Sequence, residues 1–67
     1  MDTEKLMDFA KHLNPQYCDS TEKCCITLAL NLGRNPRTIR RWLDDPSVIS
    51  KEMLSYIENK MESEGFK

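Results

Sequence analysis

Glycine and proline are scarce: the 67 residues hold two glycines and three prolines, and histidine occurs once. So few breakers exclude collagen-like, linker-like and low-complexity organisation. A glycine-rich phosphate loop has no residues to build it. Long hydrophobic runs are missing too. The longest stretch free of charged side chains, 24–33, has ten residues and includes Thr27 and Asn31. A membrane-crossing helix needs about 20 mostly apolar residues, so no span is expected and the membrane is not a partner. The first residues, Met1-Asp2-Thr3-Glu4, are acidic and lead into no apolar run, which predicts no secretory signal. One histidine, and no carboxylate pair in an apolar setting, leave catalysis without its usual parts. An enzyme is therefore not expected. With 39% hydrophobic and 31% charged residues, the chain reads as one small water-facing domain over 1–67 that binds something.

The net charge of −1 hides an asymmetry. Between Asn31 and Leu43 there are four arginines, Arg34, Arg37, Arg40 and Arg41, and no acid. The remaining positions hold six lysines against eleven acids, giving −5. A basic patch on an acidic body holds a polyanion locally. The plain alternative is a solvated arginine face, paired in part with Asp44 or Asp45.

Cys18, Cys24 and Cys25 are an odd number with no export signal, which points to reduced thiols. Zinc is disfavoured: adjacent Cys24 and Cys25 point about 100° apart on a helix, unlike the spaced cysteine pairs of structural zinc sites. The three read as small apolar packing residues, with no metal and no cofactor expected. His12 reads as a helix C-terminal residue favourable to the dipole.

Asn14-Pro15, Gly33 and Asp45-Pro46 divide the chain into four helical segments. The first, about Thr3–Leu13, sets Leu6, Phe9, Ala10 and Leu13 on one face, with Asp2 or Thr3 as cap. The second starts near Ser20, where Asp19 and Glu22 form a capping-box-like pair. Its apolar positions Cys25, Ile26, Leu28, Ala29 and Leu32 cover a wide arc, as in the middle of a bundle. Gly33 closes it. The third, 36–44, has Asn35 as N-cap and Pro36 at the first helical position. With Ile39 inward beside Trp42 and Leu43, Arg37 and Arg41 lie about 160° and 200° away, outward and one turn apart. The fourth, about 50–64, is capped by Ser50 and ended by Gly65. Ile49 staples against Leu54, and Met53, Leu54, Ile57 and Met61 form the stripe. The expected fold is all-α, with four or five helices. Because short helices bury little surface alone, Met53, Ile57 and Met61 are expected to meet a second copy.

Two helices joined by a short glycine turn describe a helix-turn-helix over about 20–44. Ala29 sits at the crossing, Leu28, Leu32, Ile39 and Trp42 supply apolar contacts, and Gly33 makes the turn. In such a unit the second helix enters the major groove. Arginine's fork makes two hydrogen bonds to guanine, so Arg37, Arg40 and Arg41 are the base-contact candidates. Arg34, Asn35 and Thr38 are placed for the DNA backbone or a base.

The stretch Leu30-Asn-Leu-Gly-Arg-Asn-Pro-Arg-Thr-Ile-Arg-Arg-Trp-Leu43 resembles the helix-turn-helix core of small phage and bacterial regulators of the Cro/repressor-like class. It is similar to the anti-CRISPR-associated autorepressors within that class. The resemblance covers about twenty residues and implies an all-helical domain, a two-fold homodimer and an inverted-repeat operator on double-stranded DNA. It implies repression by covering a promoter. The odd thiols and missing export signal point to the cytoplasm of a bacterial host. A single domain of 67 residues is expected to take no small-molecule effector, so that its own concentration governs repression, as in negative autoregulation. Two departures stand out. Arg34 occupies the usually apolar position after the turn glycine, and Asp44-Asp45-Pro46 replaces the glycine common beyond the recognition helix. A second reading keeps the fold without DNA: an antitoxin, or an inhibitor of a nucleic-acid enzyme, meeting a basic partner through Asp2, Glu4, Asp8, Glu58, Glu62 and Glu64.

Overall fold

A computed structural model describes residues 2–66. Its described residues form four α-helices and no strand: α1 (Thr3–Leu13), α2 (Thr21–Leu32), α3 (Pro36–Asp44) and α4 (Lys51–Ser63). A single 3₁₀ turn, Pro46–Val48, links the last two. No helix is long and apolar enough to cross a membrane.

Each helix begins on a side-chain cap that takes up an otherwise orphaned amide. Asp2 accepts from the Lys5 amide at 2.8 Å, Asn35 from Arg37 at 2.9 Å and Ser50 from Met53 at 3.2 Å. For α2 the cap is Ser20, whose Oγ accepts from the Lys23 amide. The expected Asp19–Glu22 box does not form, because extended backbone at Ser20 aims its own hydroxyl at the helix end. Asp19 pairs with Lys23 instead, at 3.1 Å.

One buried cluster draws on all four helices. Leu6, Phe9, Leu28, Ile39 and Ile57 are fully enclosed, and Trp42 and Leu43 line α3's inner face. On α2 the burial differs from the expected arc. Cys24 and Thr27 go inside with Cys25, Leu28, Ala29 and Leu32, while Ile26 stays half-exposed. Thr27 is tolerated because its hydroxyl has a partner. The Cys18 thiol donates to the Ala10 carbonyl at 3.2 Å, which leaves its sulfur to accept from Thr27 Oγ1 at 3.1 Å. Among the described residues no buried side-chain polar atom lacks a partner.

The backbones of α2 and α3 lie closest together, and α4 stands further off. Long side chains bridge that gap. Met53, Ile57 and Met61 are 7%, 0% and 3% exposed. Phe66 folds back so that its ring stands 5.2 Å from Phe9 and 5.4 Å from His12. The His12 Nε2–H donates to the Glu64 carbonyl at 2.9 Å, tying the end of α1 to the end of α4. The expectation that Met53, Ile57 and Met61 meet a second copy is therefore corrected: they complete one chain's own core. The exposed surface, 4488 Å², agrees with the roughly 4400 Å² that a compact monomer of this mass shows.

Ile57→Ala opens a void in an enclosed site and is expected to cost about 2–5 kcal/mol. Urea unfolding followed by circular dichroism reads this as a lower midpoint with an unchanged slope.

Candidate nucleic-acid interface

The turn from α2 to α3 is built around Gly33, at φ 67° and ψ 37°. A side chain in this left-handed conformation is strained, which is why glycine serves here. The Arg34 amide then reaches back to the Ala29 carbonyl at 3.0 Å, the six-to-one bond that closes a helix of this kind. Asn35 follows with extended backbone and caps α3, and Pro36 takes the first helical position, where its missing N–H costs nothing. Ala29, 3% exposed, keeps the side-chain layer thin between two closely spaced helices. These local choices fix α3 on α2 with Ile39, Trp42 and Leu43 inward.

The opposite face of α3 carries Arg37, Arg40 and Arg41, all exposed. Arg37 and Arg41 make no ion pair among the described residues. Arg40 does, through Nε to Asp44 Oδ1 at 3.4 Å, with both side chains more than half exposed. At that exposure the pair is weak and leaves Arg40 free to take another anion. Thr38 is half-buried and Asn35 exposed, both at the N-terminal end of the same helix.

Arg37 and Arg40 border a groove of about 490 Å³ between the starts of α2 and α3, together with Glu22, Cys25, Ile26 and Pro36. Sequence reasoning did not bring Glu22 to this site. Its signal is the four-residue step from Glu22 to Ile26, which puts both on one face of α2. Arg34 lies elsewhere, in a groove of about 370 Å³ against α4 with Gly33, Glu52, Met53 and Tyr56. Its Nη2 stands 3.5 Å from Met53 Sδ. The arginine in the usually apolar position thus meets a core methionine through its guanidinium.

The acidic pair at the end of α3 is turned to local use. Asp44 meets Arg40, and Asp45 caps the 3₁₀ turn, accepting from the Ser47 hydroxyl at 2.6 Å and from the Ser47 amide at 3.2 Å. Those two hydrogen bonds, the hydroxyl's first, hold the Asp45 carboxyl below its ordinary 3.8. The far end of α3 is anchored by Thr3, whose hydroxyl donates to the Leu43 carbonyl at 2.8 Å.

The thiols are not part of this face. Cys18, Cys24 and Cys25 are free and buried. Burial pushes the Cys24 and Cys25 thiols up from 9.0, Cys24 further through the adjacent Cys18, so both stay protonated and unreactive at neutral pH. Among the described residues no group of three or more His, Cys, Asp and Glu side chains stands close enough to hold a metal.

Comparison with family models, with curated proteins and with solved structures gives no match for the chain.

Gly33→Ala meets nothing within 4 Å, so its cost is backbone strain alone, about 1–2 kcal/mol. Gly33→Asn should cost less, since asparagine enters this region more readily; paired urea titrations rank the two. A depressed folded pKa means that Asp45 lends stability above its ordinary value and loses it as pH falls through the lowered one. Ser47→Ala, which keeps the amide and loses the hydroxyl, should return the Asp45 titration, followed by carboxyl NMR, part of the way toward 3.8 and reduce that contribution on the acid limb.

Proposed function

We propose that this chain is a sequence-specific binder of double-stranded DNA that acts as a transcriptional repressor. In this reading it works as a homodimer on an inverted-repeat operator at its own promoter, with α3 in the major groove. The observation that carries the reading is the outer face of α3. It bears Arg37, Arg40 and Arg41 on a nine-residue helix, backed by a buried face and preceded by a capped glycine turn. Arg37 and Arg41 stand one turn apart without an ion-pair partner among the described residues, ready to make forked hydrogen bonds to guanine O6 and N7. Arg40 reads a base or grips phosphate, and Asn35 and Thr38 at the helix start serve the backbone. Arg34, held against α4, contributes charge at the flank. Two copies on one face of the duplex set their reading helices in successive major grooves, about 34 Å apart.

The likeness of 30–43 to the Cro/repressor-like class, and to anti-CRISPR-associated autorepressors within it, supports repression and self-regulation. The placement of Asp44 supports it as well. It pairs with Arg40, which offsets one of the two negative charges a phosphate backbone meets at the end of α3.

A gel-shift titration on the DNA upstream of the chain's own gene, against a scrambled competitor at two salt concentrations, tests this. The expected result is a discrete complex that survives competitor. Arg41→Ala should weaken it by about 1–3 kcal/mol, and Arg37→Ala with Arg41→Ala should abolish it. Asp44→Asn, which releases Arg40, should tighten binding to both duplexes. Complexes that vanish with salt on both duplexes alike mean phosphate contact without reading. A double variant that still performs the protein's role in cells favours the interaction-module reading through the exposed acids of α1 and α4.

A further inference from the structure

With Met53, Ile57 and Met61 spent inside one chain, the surface for a second copy has to lie elsewhere. Among the described residues four large apolar side chains are exposed: Tyr17, Leu30, Val48 and Tyr56. Leu30 is the extreme case, 80% exposed in the last turn of α2, a helix whose other leucines are buried. Leu30 and Tyr17 border one groove of about 290 Å³, completed by Leu13, Ile26, Asn14, Asn31 and the edge of Thr27. No acidic or basic side chain lines it, although 31% of the chain is charged.

We propose that this uncharged groove on the outer side of α2 is where a second copy of the chain docks, with Leu30 of each copy entering the hollow between Leu13, Tyr17 and Ile26 of the other. Charge selects the occupant. A two-fold contact lays the same patch on itself, so a patch of one sign meets its own sign and is repelled. The arginine face is positive and the remainder of the chain strongly acidic. This groove is free of that penalty, and it offers nothing to a partner recognised by charge. Knob and hollow occur on the same patch, as self-complementary contact requires. At its border the Lys23 ammonium stands 5.5 Å from the Tyr17 ring centroid and pairs with Asp19 at 3.1 Å, a neutralised polar rim around an apolar centre. The exposure of Leu30 is not a defect of packing, since the single chain's surface already matches that of a compact monomer. The inference takes its occupant from the dimer proposed above and supplies the surface; Ile26 borders both this groove and the one shared by Arg37 and Arg40, so the second copy sits beside the reading helix.

The test is sedimentation equilibrium without DNA on the wild-type chain, Leu30→Glu, and Arg37→Ala with Arg41→Ala. Wild type is expected to be a dimer. Leu30→Glu should weaken self-association at least about a hundredfold, because each contact contains the residue twice, while its melting temperature at high dilution stays that of the wild-type monomer. Methyl NMR supplies a second reading that needs no variant: on dilution, shifts should move at Leu13, Ile26 and Leu30 and stay fixed at Ile57. A wild-type chain that is monomeric at every concentration overturns the proposal. So does a dimer that Leu30→Glu leaves intact, or dilution shifts that fall on α4. The arginine variant, taken also through the gel shift above, separates the two readings: a dimer that fails to bind DNA supports both, and a dimer that binds DNA like wild type removes the arginines of α3 as the reading face while leaving the docking surface in place.

Discussion

How closely α3 lies against α2 decides everything on the arginine face, and two residues set that distance. Ala29 keeps the layer between the helices thin, and Gly33 turns the chain sharply enough for α3 to begin beside the helix it has just left. The left-handed turn strains any residue with a side chain by about 1–2 kcal/mol, and the Ala29 carbonyl receives the Arg34 amide at its close. From that joint the rest follows by helical periodicity. Once Ile39 is pinned inward, Trp42 and Leu43 come with it, and Arg37 and Arg41 have only the outward side left. The Thr3 hydroxyl fastens the far end at the Leu43 carbonyl, so α3 is held at both ends and along its inner face.

Much of this was legible in the sequence because the signals were local. Asn35-Pro36 marks a helix start by chemistry confined to two residues, and Gly33 marks a stop in the same way. All four helices begin within a residue of where capping and periodicity place them. What could not be read was long-range. Whether Met53, Ile57 and Met61 face their own chain or a partner depends on how far α4 stands from the other helices. The fold-back of Phe66 onto Phe9 and His12 helps close that side, and nothing in the stripe itself announces it. Arg34 has the same history. Its position after the turn glycine is evident, but its seat against Met53 exists only because α4 returns there. The places of Glu22 and Leu30 beside the grooves escaped notice for a different reason. An apolar arc on a helix wheel identifies core positions and gives no weight to the residues just outside it, where both grooves beside α2 are bordered.

Small size governs how polar groups are treated inside. A domain this short has little apolar surface to spare, yet it buries Thr27 and three thiols. Geometry makes this inexpensive. The thiol of Cys18 has one proton, given to the Ala10 carbonyl, and its sulfur takes the Thr27 proton, so neither group is left unpaired. That chain of contacts joins the end of α1, the loop carrying Cys18 and the middle of α2. It holds α1 behind the α2–α3 unit without drawing on residues that the outer faces need. Burial, by keeping Cys24 and Cys25 protonated, makes the same thiols chemically quiet.

The charge distribution carries the argument from fold to partner. A chain of net charge −1 has no long-range attraction for a polyanion, so binding on the proposed reading depends on a face that is locally positive. Arg37, Arg40 and Arg41 supply that face within one short helix, with Asp44 paired to Arg40 at its end. Within a Debye length, about 8 Å at physiological salt, a duplex meets whichever surface is nearest, and the acidic remainder of the chain repels it. Approach is then productive only with α3 leading. This orients the encounter at some expense in its rate. It also discourages loose binding along unrelated DNA, because a weak overall charge leaves non-specific affinity to the few arginines themselves. Two copies double that face while doubling the acidic body behind it. The contact between them therefore has to avoid both signs, which is what the uncharged groove around Leu30 provides.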